Sequence, residues 1–264
     1  MKKLMTAALA TLALTFAGVG TAGAVTDGEL DGEGHPYVGL MVAQDGDGNP
    51  MWRCSGTLIS PTVFLTAGHC TDGADHVEIW FDADVEGGIP DNGYPLTGDA
   101  SGTPYTHPDY DDAAFYLADL GLVVLDEPVD MDTYGELPVA GQLDQYATKR
   151  GQNTVFFTAV GYGLQESFPS AAAWKENNER VRMVSYPKLN QINGGIVGDF
   201  SLLLSNNAHT GGTCFGDSGG PNFIKDTNVI AGVTSFGLNS TCGGTGGVFR
   251  VDQAEELAWI AGYM

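Results

Sequence analysis

Eight short apolar runs separated by turn-forming clusters constrain this chain more than any other feature. They are Tyr37 to Ala43, Thr57 to Leu65, Val77 to Phe81, Leu120 to Leu125, Val155 to Val160, Arg180 to Tyr186, Val229 to Phe236 and Gly247 to Val251. Runs of this length, bounded by Gly, Pro, Asn and Asp, suit strands rather than helices, and many of them in succession predict an all-β sandwich or barrel. With 264 residues, 43% of them hydrophobic, the chain can build one large all-β domain or two modest ones. A short helix is expected at the C-terminus, where Leu257, Ile260 and Ala261 recur at spacings of three and four, with Asp252 as its cap. The polar stretch from Gln165 to Asn178 reads as an insertion loop with a helical turn around Ala171 to Lys175. No internal repeat is apparent.

The chemistry concentrates in Gly211 to Pro221, Gly-Gly-Thr-Cys-Phe-Gly-Asp-Ser-Gly-Gly-Pro. A serine hydroxyl becomes a useful nucleophile only when one group removes its proton and another holds the oxyanion formed by its attack. The amides of Gly216 and Ser218 can point into one small hole if the backbone turns sharply, and glycines at 216, 219 and 220 permit such a turn. His69, between Gly68 and Cys70 at the end of an apolar run, is placed as a general base must be, fixed yet reachable. His35, His76, His107 and His209 read as surface or satisfied core residues. Asp119 precedes an apolar strand and needs a partner such as an imidazole N–H, whereas Asp111 and Asp112 lie in a polar loop and read as solvated.

Met1 to Ala24 carries Lys2 and Lys3, an apolar run from about Leu4 to Val19 and the small-residue sequence Ala22-Gly23-Ala24, the pattern of a secretory signal peptide cut after Ala24. That predicts a secreted protein, extracellular or periplasmic; the apolar run is short for a membrane anchor. Residues 25–264 then hold nine basic and 33 acidic residues, a formal charge of −24. Such a charge argues against nucleic-acid or anionic-membrane partners. Four cysteines in an exported chain predict two disulfides, with three possible pairings. The acidic loop Asp82 to Asp99 invites a calcium ion, but its carboxylates lack a tight ligand spacing, so no metal or other cofactor is expected.

Leu65-Thr66-Ala67-Gly68-His69-Cys70, then Asp119-Leu120-Gly121-Leu122-Val123-Val124-Leu125, then Gly211 to Pro221 place His, Asp and Ser in that order with wide gaps. Here the chain resembles the chymotrypsin-like, or trypsin-like, serine proteases, from about Val25 to the C-terminus. The resemblance implies two six-stranded antiparallel β-barrels divided near Pro128 to Gln142. The active site would lie between them, with His69 and Asp119 from the first half and Ser218 from the second. It implies His69 as base, Asp119 as its orienting partner, Ser218 as nucleophile and an oxyanion hole at Gly216 and Ser218. Ser235, in Thr234-Ser235-Phe236-Gly237, matches the serine that supports the catalytic Asp, and its segment would pair with an extended substrate as an added strand. Gly161-Tyr162-Gly163 resembles a Gly-Trp-Gly element of the second barrel.

By the same resemblance Cys54 pairs with Cys70 and Cys214 with Cys242. Val25-Thr26-Asp27-Gly28 resembles the start of the mature enzymes, whose terminal ammonium pairs with the aspartate at the position of Asp217. Because the signal-peptide cut coincides with that start, no zymogen stage is expected. The specificity pocket would have Gly212 at its floor, Thr213 on its wall, and Gly237 and Gly247 where bulkier residues would close it. A deep neutral slot of that kind implies cleavage after Phe, Tyr, Leu or Met rather than Arg or Lys. The expected protein is thus a monomeric serine endopeptidase acting on proteins or peptides, with trypsin-like specificity or a non-catalytic binding module as alternatives. The order His, Asp, Ser excludes an α/β-hydrolase esterase, which needs Ser, Asp, His and a Gly-x-Ser-x-Gly elbow.

Overall fold

The computed structural model describes residues 25–114, 116–147, 155–167, 176–193, 198 and 200–264. The expected signal peptide, and the helical turn expected around Ala171 to Lys175, lie outside the described residues.

The first half contains β1 (Glu29–Leu30), β2 (Val38–Gln44), β3 (Pro50–Ser60), β4 (Val63–Thr66), the one-turn helix α1 (Gly68–Thr71), β5 (His76–Trp80), the one-turn helix α2 (Val85–Gly88), β6 (Ala100–Thr106) and β7 (Gly121–Leu125). Strands β2, β3, β4, β7, β6 and β5 close into an antiparallel barrel in that order. Every residue of β2 is buried, because one face fills the barrel and the other packs on the second half. Leu40, Met41, Phe64, Leu65, Ile79, Trp80, Leu122 and Val123 make up much of this core. Each such side chain contributes about 1.5–3 kcal/mol by leaving water. The expected run Thr57 to Leu65 is two strands: Pro61 and Thr62 turn the chain between β3 and β4. β6 was not legible in the sequence, since its Gly102 and Pro104 interrupt the apolar pattern.

The second half contains β8 (Phe157–Gly161), the short pair β9 (Glu166–Ser167) and β10 (Glu176–Asn177), β11 (Met183–Ser185), β12 (Leu189–Ile192), β13 (Ser201–Asn206), β14 (Pro221–Ile224), β15 (Ile230–Gly237), β16 (Gly244–Arg250) and helix α3 (Ala254–Ala261). Its main sheet runs β1-β11-β8-β14-β15-β16-β13-β12. β11 and β12 act as one bent strand. β11 pairs with β8, and the bridge Phe156–Lys188 with the 2.9 Å bond from Leu189 N to Val155 O carries the start of β12 back to the approach to β8. This half therefore also curls round, around Phe157, Leu202, Leu204, Ala231 and Val248.

Two ion clusters were not evident from the sequence, and the first of them pins the halves together. Arg182, 1% exposed, bonds Asp31, the carbonyls of Gly32, Val38 and Phe81, and Tyr162 Oη. Arg250 holds Asp144 and Asp252. That second cluster corrects the expected helix cap: Gln253 occupies the N-cap of α3, while Asp252 takes Arg250 and the amide of Leu143. A carboxylate paired with a buried guanidinium is unavailable to a helix terminus. The expected dividing stretch Pro128 to Gln142 falls in the interval between β7 and β8, where Val129 N donates to Pro61 O at 2.8 Å and Gly141 N to Asp252 O at 2.9 Å.

Candidate active site

His69 sits in α1, the tight turn that ends β4. Three contacts hold this turn: the disulfide Cys54–Cys70, a 3.0 Å bond from Trp52 Nε1 to Cys70 O, and one of 3.0 Å from Thr71 Oγ1 to Gly68 O. Asp119, fully buried, lies two residues before β7, and its neighbour Ala118 adopts a φ of 51° in the left-handed region. One oxygen accepts the backbone N–H of His69 at 2.9 Å; Nδ1 of the ring lies 3.1 and 3.0 Å from the two carboxylate oxygens. Ser235 Oγ donates to the same carboxylate at 2.5 Å. A buried carboxylate so placed keeps the Nδ1–H tautomer, which leaves Nε2 as the basic nitrogen. The imidazole is 29% exposed, so it is fixed on one side and open on the other.

Ser218 stands in a turn built from both halves. Ser55 N donates to Ser218 O at 2.8 Å, Gly219 N donates to Thr234 O at 2.8 Å, and Gly220 N donates to Asp217 O at 2.8 Å. Gly219, with φ +77°, packs so closely that a Cβ would stand 2.5 Å from Ser55 O and 2.8 Å from Ala67 N. Only glycine fits there, and the fit sets the Ser218 turn against the segment that leads into His69. Gly216 has φ +98°, its own carbonyl accepts Ser55 Oγ at 2.9 Å, and the preceding carbonyl of Phe215 accepts Leu164 N at 2.8 Å. In a planar trans peptide C=O and N–H point to opposite edges. The Gly216 N–H is thereby turned away from Leu164. Ser55, which braces this loop and also accepts Tyr162 N at 3.0 Å, was missed in the sequence, where nothing sets it apart from other strand serines.

Asp217 is fully buried and accepts Gly163 N and Cys214 N, each at 2.8 Å. Burial pushes its carboxyl up to about 7, a rise opposed by those two amides and by the charge of Arg53. Among the described residues it has no ion-pair partner. Val25, also fully buried, packs on Met183, while Thr26 pairs with Gly212 and donates to Asn206 Oδ1 at 2.7 Å. The segment expected to begin the mature chain is thus threaded into the second half.

The family called Trypsin matches residues 30–260. The chain belongs to the trypsin family of serine proteases. Serine protease 1 of Drosophila melanogaster is 29% identical over 222 residues, covering 83% of this chain and 78% of the relative. Brachyurin of Leptuca pugilator is 31% identical over 198 residues, covering 73% and 79%. Among solved structures, HL collagenase superposes with a TM-score of 0.68 at 22% identity, covering 90% of this chain and 97% of that one, which shows the same fold.

This trypsin-family chain carries both disulfides in the expected pairing, Cys54–Cys70 and Cys214–Cys242. Cys54, Cys70 and His69 also lie close enough together to suggest a metal group, but sulfurs joined in a disulfide are not ligands. Beside Ser218 opens a cavity of about 100 Å³ lined by Thr213, Cys214, Phe215, Thr234, Phe236 and Gly237, among others. Among the described residues its lining contains no carboxylate. Of the four expected pocket residues, Thr213 and Gly237 line it, and two need correcting. Gly212 lies under Asn206, whose side chain occupies the space a Cβ would take. Gly247 is the cross-strand partner of Phe236, and the tip of that ring lies where its Cβ would be. A glycine opposite an aromatic residue in an antiparallel pair invites the ring to fold over it, since an apolar ring gains burial there. The sequence shows the two residues 11 positions apart, with no sign that a bulge at Thr234/Phe236 brings them face to face.

Proposed function

We propose that this chain is an exported serine endopeptidase that works through His69, Asp119 and Ser218, a single protease domain from Val25 whose two halves divide near residues 128–142. The observation that carries the proposal is the joined set of bonds from Asp119 to His69 and Ser235, with the Ser218 turn wedged against Ala67. In this reading His69 Nε2 removes the proton of Ser218 as its oxygen attacks the scissile carbonyl. The amides of Gly216 and Ser218 hold the resulting oxyanion. His69 then gives the proton to the leaving amine, and water, activated by the same base, hydrolyses the acyl-enzyme. Proteins or peptides are the substrates. The absence of a carboxylate around the cavity favours an uncharged side chain before the cut bond over Arg or Lys, since a buried cation would be left unpaired. The Phe236 ring argues for a short aliphatic side chain in place of the large one expected from the sequence, because a phenyl ring needs about 150 Å³.

Export places the new N-terminus at Val25, whose ammonium is the missing counter-ion of Asp217. Support comes from the burial of both residues and from the pairing of Thr26 with Gly212. The test compares protein beginning at Val25 with protein carrying one extra residue before it. The extended form is expected to hydrolyse casein at a few per cent of the mature rate. Its stability is also expected to depend on pH. A carboxyl raised from 3.8 to about 7 keeps its proton in the folded state, so its contribution is full below about pH 3.8 and lost as pH rises to about 7. At 1.36 kcal/mol per unit the loss approaches ~4 kcal/mol. Urea unfolding at pH 4 and pH 7 should show this fall in the extended form and not in the mature one. Equal casein rates and equal pH dependence in the two forms would refute the pairing.

A further inference from the structure

In a chain with 33 acidic residues, an arginine without a carboxylate partner is the exception. Among the described residues Arg180 pairs with Glu86, Arg182 with Asp31, and Arg250 with Asp144 and Asp252. Arg53 differs. Its guanidinium donates to a neutral acceptor, Asn178 Oδ1, and although its charge is felt by the buried Asp217, no carboxylate forms an ion pair with it among the described residues.

Its position is equally specific. Arg53 Nε lies 3.5 Å from where a Cβ on Gly216 would stand, so the cation borders the loop that carries Ser218. It immediately precedes Cys54, which is tied to Cys70 next to His69, and lies two residues from Ser55, whose amide bonds Ser218 O. The two halves of a substrate leave this point in opposite directions. The acyl half lies along Ser235 to Gly237, where β15 has passed the end of its pairing with β14 and has a free edge beside the cavity. The leaving half must lie on the side of His69, which hands it a proton, and this is the side of the Cys54–Cys70 bridge and Arg53.

Resting on the protease reading above, we propose that Arg53 forms a subsite for a carboxylate on the leaving-group half of the substrate, an Asp or Glu side chain within the first two residues after the cut bond. The guanidinium is partly exposed and among the described residues donates only through Nη2, and a planar fork matches a carboxylate in a bidentate way. The subsite also works against the rest of the molecule. The net charge of −24 on residues 25–264 disfavours acidic peptides at long range, so a preference for them requires a local cation.

The test uses internally quenched peptides that are identical except for Glu or Gln at the first or second position after the cut bond, assayed at low salt. The wild-type protein is expected to favour Glu at one of these positions by about tenfold in kcat/KM, the size of one charge-assisted hydrogen bond. The ratio should shrink as salt rises. In Arg53→Gln it should fall to one or below, in Arg53→Lys it should recover in part, and in Arg53→Glu it should invert. Equal cleavage of the Glu and Gln peptides, or a preference that survives in Arg53→Gln, would overturn the subsite and leave the protease reading standing. Failure of every variant and of wild type to cut any peptide would overturn both.

Discussion

Ser218→Ala is expected to yield a folded protein with kcat lowered by about 10⁶, the scale seen when a triad nucleophile is removed. The residual rate should still exceed the uncatalysed one by about 10³–10⁴, because the oxyanion amides and the binding surfaces remain. Folding should be nearly unaffected. Ser218 is held through its backbone, by Ser55 N and by its place between Asp217 and Gly219, and alanine keeps all of these contacts. Steady-state kinetics and a thermal melt measured on one preparation check both halves of the expectation. Retention of more than a few per cent of wild-type turnover would mean that another group attacks the substrate.

Phe236→Ala is expected to enlarge the pocket and redirect it. With the ring gone, the face of Gly247 opens and the cavity gains the depth that the sequence alone implied. Wild-type protein should cut matched peptide anilides faster after Ala or Val than after Phe. In the variant the Phe to Ala ratio of kcat/KM should rise by about 10–200-fold, the discrimination a hydrophobic pocket achieves over small changes in fit. Arg and Lys should remain poor in both, since the substitution introduces no carboxylate. A wild-type protein that already prefers Phe, with no change in the variant, would show that the ring swings aside on binding at little cost.

The parts of this site that were legible in the sequence are those where chemistry demands a residue type in a fixed local frame. Gly219 had to be glycine because a Cβ there would strike Ser55 and Ala67, while His69 follows and Asp119 precedes an apolar strand that the pattern marks. Most strands were visible for the same reason. What stayed hidden depends on register and on contacts between distant segments. Gly247 read as open space because a sequence cannot show that a bulge turns Phe236 onto it. Asp252 read as a helix cap because the sequence does not show that Arg250, two residues away, turns its guanidinium onto it, or that the distant amide of Leu143 meets it. β13, which is largely buried, went unread because its Ser, Leu and Asn residues mix faces that only the curled sheet separates.

The central claim is that Ser218 is a nucleophile activated by His69 and Asp119, and the most direct measurement is covalent trapping. Protein beginning at Val25 is incubated with a fluorophosphonate and the modified peptide is identified by mass spectrometry. The account predicts one adduct per chain, on Ser218, forming rapidly in wild type, at least about 10³-fold more slowly when Asp119 is replaced by Asn, and not at all in Ser218→Ala. A folded wild-type protein that stays unmodified, or one labelled on a residue other than Ser218, would contradict it.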